Sequence, residues 1–396
     1  MTMGRGGERQ VGVYSGRDPY DALRGSRVPA FVRSHPRMRQ AVIQARKRSP
    51  IDLSGVLGVE AFMMAKTLGA YLTATSRYAS ETGGSEEVRL LAEQLGADET
   101  IARMDGGGWG YEFDVQTRWA FYPSGSPNLI ATVFVGRGFG SAAAVARDAQ
   151  HLERMSAAAD FLQERMLTCA PTPRFMYTLT SDRLIHNANF LGAGLVAMAG
   201  ALASDTGRVS TGLQCAQTSM HAQRDDGSWP YGEGASLGWA DNFHTAYNLD
   251  GLLQVWLASG DEAVHDALRR GVEHWVHDFF GPEGEPKYYP TRPYPYDIHS
   301  AGTAVDVAAR LASWGFDTGD VARRVASWTK KHLVEGQSGV TYYQKHRSWT
   351  DKRHFVRWGD AHWALGEASL GLLNAGRRDP LEEAVARAAG VVRYER

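Results

Sequence analysis

Apolar residues return at three- and four-residue spacing along most of this chain, and the helical stretches they mark fall into six consecutive pairs. The periodicity predicts helices over 59–78 and 86–95, 128–139 and 142–166, 188–204 and 209–223, 243–259 and 262–279, 299–314 and 321–333, and 360–375 and 381–392. First helices of successive pairs recur roughly every 55 to 70 residues, the mark of a repeat architecture. An open solenoid needs polar capping repeats at its ends, yet the first and last pairs here are as apolar as the middle ones. Closure into a ring removes that need. The expected fold is therefore all-α, an (α/α)6 toroid of six helical hairpins over residues 51–396, with an inner ring of six helices and an outer ring of six antiparallel partners.

The two rings differ in composition. Leu191 to Leu202 is apolar all round and must be buried on every side, whereas 142–166 carries Arg147, Asp148, Glu153, Arg154, Asp160, Glu164 and Arg165, as an outer helix with one wet face would. Residues 1–50 are expected to form an arm with one short basic helix, 38–47, ended by Ser49-Pro50 and packed on the toroid surface.

Composition excludes several classes of function. A chain of 396 residues, 43% of them hydrophobic, can bury a sizeable core, and a net charge of −1 gives no field favouring nucleic acid. Cys169 and Cys215 have no metal-ligand spacing and cannot make a disulfide framework, and no His-x-x-x-His or Glu-containing ligand set is present, so neither a metal nor another cofactor is expected. The first residues hold no apolar leader segment, and the apolar run 191–203 is too short to span a bilayer. A cytoplasmic protein is the expectation.

Inner helices of such a toroid run parallel, so the loops entering them emerge at one end. Those loops are the ones rich in Trp, Tyr, Asp, His and Asn: 109–127, 181–190, 241–247, 288–300 and 357–363. Inner-helix N-termini point their unsatisfied N–H groups at the same opening, which favours oxygen-rich or anionic ligands. Asp241, His244 and Tyr247 share one helical face, and Asp297 and His299 alternate in an extended segment, which with Asp114 gives the candidates for acid/base work. Capping of helices by the carboxylates is their structural alternative. Trp109, Tyr111, Trp229, Tyr231, Tyr288 and Trp358 offer flat faces for stacking on sugar rings, beside Arg118 and Asn187. In His186-Asn187-Ala188-Asn189 one Asn is expected to cap the helix and the other to meet the ligand, and Arg357 is expected to clamp a carboxylate or phosphate.

Gln223-Arg-Asp-Asp-Gly227-Ser-Trp229 matches the Gln-x-x-x-Gly-x-Trp repeat, and here the chain resembles the squalene cyclase and prenyltransferase toroids. That resemblance implies a structural role, with Gln capping an outer helix and Trp stacked on it. The Asp-x-Asp-Asp proton donor of those cyclases has no counterpart in this sequence. A second resemblance covers nearly the whole chain. Asp18-Pro-Tyr-Asp21, Arg48-Ser-Pro-Ile-Asp52, Trp109-Gly-Tyr-Glu-Phe-Asp114, Asp226-Gly-Ser-Trp-Pro-Tyr231, Asp241-Asn-Phe-His-Thr245, Tyr296-Asp-Ile-His-Ser300 and Arg357-Trp-Gly359 are similar to the ordered landmarks of a bacterial family labelled polysaccharide-biosynthesis proteins. What it implies is an α/α toroid and a glycan substrate or precursor.

Two reaction types suit this composition. Proton abstraction beside a uronate carboxylate, as in uronyl epimerases and lyases, needs a His or Tyr to move the proton and a cation or amide to hold the charge that develops. Glycoside hydrolysis needs two carboxylates across the bond, which Asp114, Asp241 and Asp297 leave open. An isoprenoid or lipid-linked cyclisation and a non-catalytic glycan-binding protein are the remaining expectations.

Overall fold

The computed structural model describes residues 14–97, 103–104, 108–117, 120–181 and 183–391. Numbering the helices of nine or more residues, the arm contributes α1 (Pro36–Arg48). Six hairpins follow. They are α2 (Ala65–Thr82) with α3 (Ser85–Ala97), α4 (Leu129–Ala146) with α5 (Ala149–Phe161), α6 (His186–Leu202) with α7 (Thr206–Met220), α8 (Asn242–Ser259) with α9 (Glu262–Phe279), α10 (Ile298–Ser313) with α11 (Gly319–Leu333), and α12 (Ala361–Asn374) with α13 (Pro380–Ala388).

The first helix of each hairpin packs on the first helix of the next, and α12 packs back on α2, which closes the ring. The chain is an all-α toroid. Glycines set the closest seams, because a Cβ on Gly69 would lie 2.5 Å from the Phe134 carbonyl oxygen, one on Gly251 2.4 Å from the Phe190 carbonyl carbon, and one on Gly302 2.6 Å from that of His362. Backbones this close leave no room for any other residue. Every residue of α6 from His186 to Ala201 is buried, as an inner helix requires, while α9 buries Val264, Leu268, Val272, Trp275 and Phe279 along one stripe and leaves the other face wet.

Three details depart from the sequence reading. The fourth helix does not stop at Phe139 but runs to Ala146, where Arg147 takes a left-handed turn and Asp148 caps α5; the glycine at 140 is a packing site for Met155 and Leu381 and not a break. At that length α4 is apolar and long enough to cross a membrane by length and composition, and here it lies mostly buried in the ring. The last helix, α13, is not an outer partner. It packs on α4, α6 and α8 across the far end of the barrel.

That far end is sealed by ions. Arg77 meets Asp306 at 2.7 Å and Asp379 at 2.6 Å, Arg310 meets Asp250 at 2.6 Å and also Glu382, and Arg137 meets Asp250 at 2.5 Å. Burial alone would raise the Asp250 carboxyl, but Arg137 and Arg310 outweigh it and hold the group well below the usual carboxylate range. Asp379 and Glu382 belong to α13 and its cap, so the network fastens that helix in place.

The Gln-x-x-x-Gly-x-Trp stretch ties two hairpins together. Gln223 Nε2 donates to the carbonyls of Gly227 at 3.1 Å and of Ala267 on α9 at 2.9 Å, and Trp229 Nε1 donates to the Ser219 carbonyl at 3.1 Å. Gly227 has a positive φ of 85° and sits against the Arg270 carbonyl, where a Cβ would come within 2.4 Å.

Candidate functional site

A cavity of about 1440 Å³ opens at the end where the inner helices begin. Its volume exceeds the range of about 300–1,000 Å³ usual for small-molecule pockets, so more than one sugar ring fits. The five rim loops, the segment 224–240 and the arm build most of the wall.

Asp241 caps α8 and at the same time holds His244. Its carboxylate accepts the His244 backbone N–H at 3.0 Å, and His244 Nδ1 lies 2.8 Å from Oδ1 and 2.9 Å from Oδ2. A carboxylate here only accepts, so Nδ1 carries the proton and Nε2 is the nitrogen left for a substrate. Tyr231, Trp239 and Phe243 surround the ring at centroid distances of 4.7, 5.6 and 3.9 Å, and one face of it reaches the cavity. Tyr231 and Trp239 are themselves stacked at 4.3 Å and 11°.

Deeper in, Tyr247 joins two histidines. Its hydroxyl lies 3.3 Å from His299 Nε2 and 3.2 Å from His362 Nε2. His362 Nδ1 is 3.1 Å from the Trp358 carbonyl, which accepts only, so His362 Nε2 receives the phenol proton and His299 Nε2–H donates to the phenol oxygen. Burial drives both imidazoles well below their ordinary pKa, with Lys66 adding to the effect, so both are neutral. Burial also pushes the Tyr247 phenol far above its usual range.

Asp297 orients this group without reaching the cavity. It is buried, accepts from the His299 backbone N–H at 2.9 Å, Trp358 Nε1 at 2.9 Å and Gln344 Nε2 at 2.7 Å, and so locks the indole that stacks on His299 at 4.3 Å. Burial raises its carboxyl, against those donors.

Asp241, His244, Tyr247 and His299 therefore meet at one cavity, with Tyr111, Asn187, Tyr231, Tyr288 and Trp358 in its wall. Other expected members stand elsewhere. Asp114 accepts from the Ser124 backbone N–H at 2.7 Å outside the cavity, as a turn residue. Trp109 is buried against Phe139, and Trp229 edge-on against Phe190, so both rings serve the core. Arg118 lies outside the described residues. Neither Asn of the 186–189 run caps a helix: Ile185 occupies that position, Asn189 binds the Phe175 N–H, the Cys215 carbonyl and Ser219, and the buried Asn187 Oδ1, in the cavity wall, has no donor among the described residues.

Arg357 is the largest correction. Its guanidinium is buried, paired with Asp21 of the arm and stacked 3.8 Å over Phe62, so although it borders the cavity its charge is committed to the arm. Asp21 is shared with Arg46 of α1, and burial pushes its carboxyl up to about 6 despite both arginines. Arg353 completes the attachment by donating to the Arg46 carbonyl at 2.7 Å and the Lys47 carbonyl at 2.9 Å, at the C-terminal end of α1. The arm does not merely rest on the surface, because Asp18, Tyr20, Gln44 and Lys47 form one wall of the cavity.

Sequence reasoning missed His362, Lys66, Tyr20 and Lys47. His362 follows Trp358 by four residues, one turn on, so the helical face that carries one carries the other. Lys66 is a single residue at the start of an inner helix, and no pattern marks it.

No known family's sequence pattern matches the chain, and no curated protein matches it. Solved structures do share its fold. Cellobiose 2-epimerase from Bacillus thermoamylovorans B4167 aligns with a TM-score of 0.62 at 8% identity, over 79% of this chain and 88% of its own. A sugar epimerase from a ruminal bacterium aligns at 0.61 and 12% identity, over 81% and 90%. Unsaturated glucuronyl hydrolase from Bacillus sp. GL1 aligns at 0.56 and 14%, over 78% and 86%. At such identities the likeness establishes the toroid alone.

Proposed function

We propose that the chain is a glycan-modifying enzyme of surface or exopolysaccharide biosynthesis that moves a proton at a sugar carbon, as a uronyl epimerase or lyase does. One observation carries this reading: the cavity presents a histidine oriented by a carboxylate, the pairing that moving a proton calls for. Of Asp114, Asp241 and Asp297, Asp241 alone lines the cavity, and its oxygens are on His244. Asp18, Asp226 and Asp278 also border the cavity, so hydrolysis by two carboxylates about 5–10 Å apart is the second reading.

In this reading His244 Nε2 takes the proton from the sugar, and Asp241 stabilises the imidazolium that forms. Tyr247 donates to the oxygen on which charge develops by turning its one proton from His362 Nε2 to the substrate, while His299 Nε2–H stays on the phenol oxygen. Tyr231, Trp239, Tyr288 and Tyr111 supply stacking faces for neighbouring rings. Support of a weaker kind comes from the fold, since two of the similar toroids bear the names of sugar epimerases and one that of a glucuronyl hydrolase. The cytoplasmic setting remains part of the proposal.

The test is incubation of the protein with the host's polysaccharide and its precursors in deuterated water. Deuterium entering at a sugar carbon identifies epimerisation, and an unsaturated sugar identifies elimination. New reducing ends alone would move the assignment to hydrolysis. Unchanged glycans throughout would sink the catalytic reading and leave a glycan-binding protein. Cyclisation of an isoprenoid is disfavoured by the wall itself, in which Lys47, Lys66, Asp18, Asp241 and His244 stand among the aromatic rings.

A further inference from the structure

Lys66 is placed where a lysine costs stability. It occupies the second position of α2, an 18-residue inner helix whose N-terminus carries partial positive charge, and a cation there opposes the helix dipole. Among the described residues no carboxylate lies within ion-pair distance of its ammonium and no hydrogen-bond acceptor meets it. What the ammonium touches is the face of Phe134, 4.8 Å from the ring centroid. The apolar surroundings push it down to about 8, with Asp18 pulling weakly the other way. A solvated surface lysine would escape all three costs by swinging outward, but this one lines the cavity floor.

Its neighbours are the reacting groups. Phe134 stands edge-on to Tyr247 at 6.0 Å and to His362 at 5.9 Å, and the charge of Lys66 is felt by both His299 and His362. A cation without a counter-ion, beside two neutral imidazoles and a phenol, lacks one partner. Arg357 is already paired with Asp21, and Lys47 meets the Tyr20 hydroxyl.

We propose that Lys66 is the seat for an oxyanion carried on the sugar, a carboxylate or a phosphate, which holds that sugar with its ring over Tyr247. The assignment deepens the proposed function by naming the substrate as acidic, and it rests on the cavity being a glycan site. A uronate carboxylate there would gain the ammonium and the α2 N-terminus, and would give the half-buried charge a partner.

The experiment is calorimetric binding to the full chain of three probes: a glucuronate-containing disaccharide, its methyl ester, and a hexose 6-phosphate. Wild type should prefer an anionic probe to the ester, and preference for the uronate or the phosphate says which oxyanion the site takes. Lys66→Met, of similar length and apolar, should weaken the preferred anion by about tenfold or more, as expected for loss of one charged hydrogen bond, and leave the ester unchanged. Lys66→Arg should retain part of the preference. Equal affinity for acid and ester, no binding of any probe, or equal weakening of both in Lys66→Met overturns the assignment. Binding needs no turnover, so proton exchange at a neutral sugar would refute this proposal while sparing the reaction, and anion binding without exchange would do the reverse.

Discussion

Asp241 engages His244 with both oxygens of one carboxylate, at 2.8 and 2.9 Å from the same ring nitrogen. The same carboxylate caps α8, so the imidazole is fixed to the helix that carries it. Replacing His244 by Ala should lower the rate of proton exchange by about 10²- to 10⁴-fold with little change in melting temperature, since the ring sits at the rim. Asp241→Asn keeps a capping oxygen but loses the charge that steadies the imidazolium, so it should lose activity and keep its fold. Deuterium incorporation and thermal melts on both variants check this. Wild-type exchange in His244→Ala would remove the dyad from the mechanism.

Tyr247→Phe removes the hydroxyl that satisfies two buried imidazoles. Loss of these partners should cost about 1–3 kcal/mol of stability, because His299 and His362 are left buried without them. Denaturant unfolding measures the cost, and an unchanged midpoint would contradict the hydrogen-bonded arrangement.

Arg357→Met should loosen the arm, and with it the cavity wall that Asp18, Tyr20, Gln44 and Lys47 form. Asp21 then keeps Arg46 as its one cation in a buried site, and the expected loss is about 3 kcal/mol. Limited proteolysis should cut the variant within residues 14–50 well before wild type. A protease pattern like that of wild type would show that the ion pair does not hold the arm.

Acid should destabilise the fold through its buried neutral histidines. Burial depresses His186 to about 4, with Arg224 adding to the effect, against 6.5 for an ordinary imidazole. Below pH 6.5 the unfolded chain binds a proton that the folded chain refuses until about pH 4, so stability falls as pH falls through that window. The contribution of His186 is about 3 kcal/mol by pH 4. A His186→Asn variant should lose about that much less than wild type between pH 6.5 and 4 in paired thermal melts. Parallel pH profiles would show His186 to be protonated in the fold.

The hairpins were legible because their signals are local. Apolar spacing gives each helix, and capping residues such as Asp241, Asp261 and Asp297 mark their beginnings. The ring followed from the absence of polar end repeats. The buried ions were not legible, since Glu382 falls in the helix expected over 381–392 as an outer partner and Asp379 just before it. Their partners Arg77 and Arg310 stand 302 and 72 residues away in the chain, and no spacing rule connects them. For the same reason Arg357 looked like a ligand clamp, because its counter-ion Asp21 lies 336 residues earlier. Asp241 and His244 were found because three residues along a helix already place them side by side.

The helix α13 laid over α4, α6 and α8 makes this ring a cup with a single mouth. A polysaccharide strand cannot be threaded through it like a cord through a bead. Any long glycan must present an end, or bow a segment into the opening, and must leave by the way it came. Sliding along an uncut chain through the barrel axis is thereby ruled out, and every engagement begins with a fresh entry at the mouth.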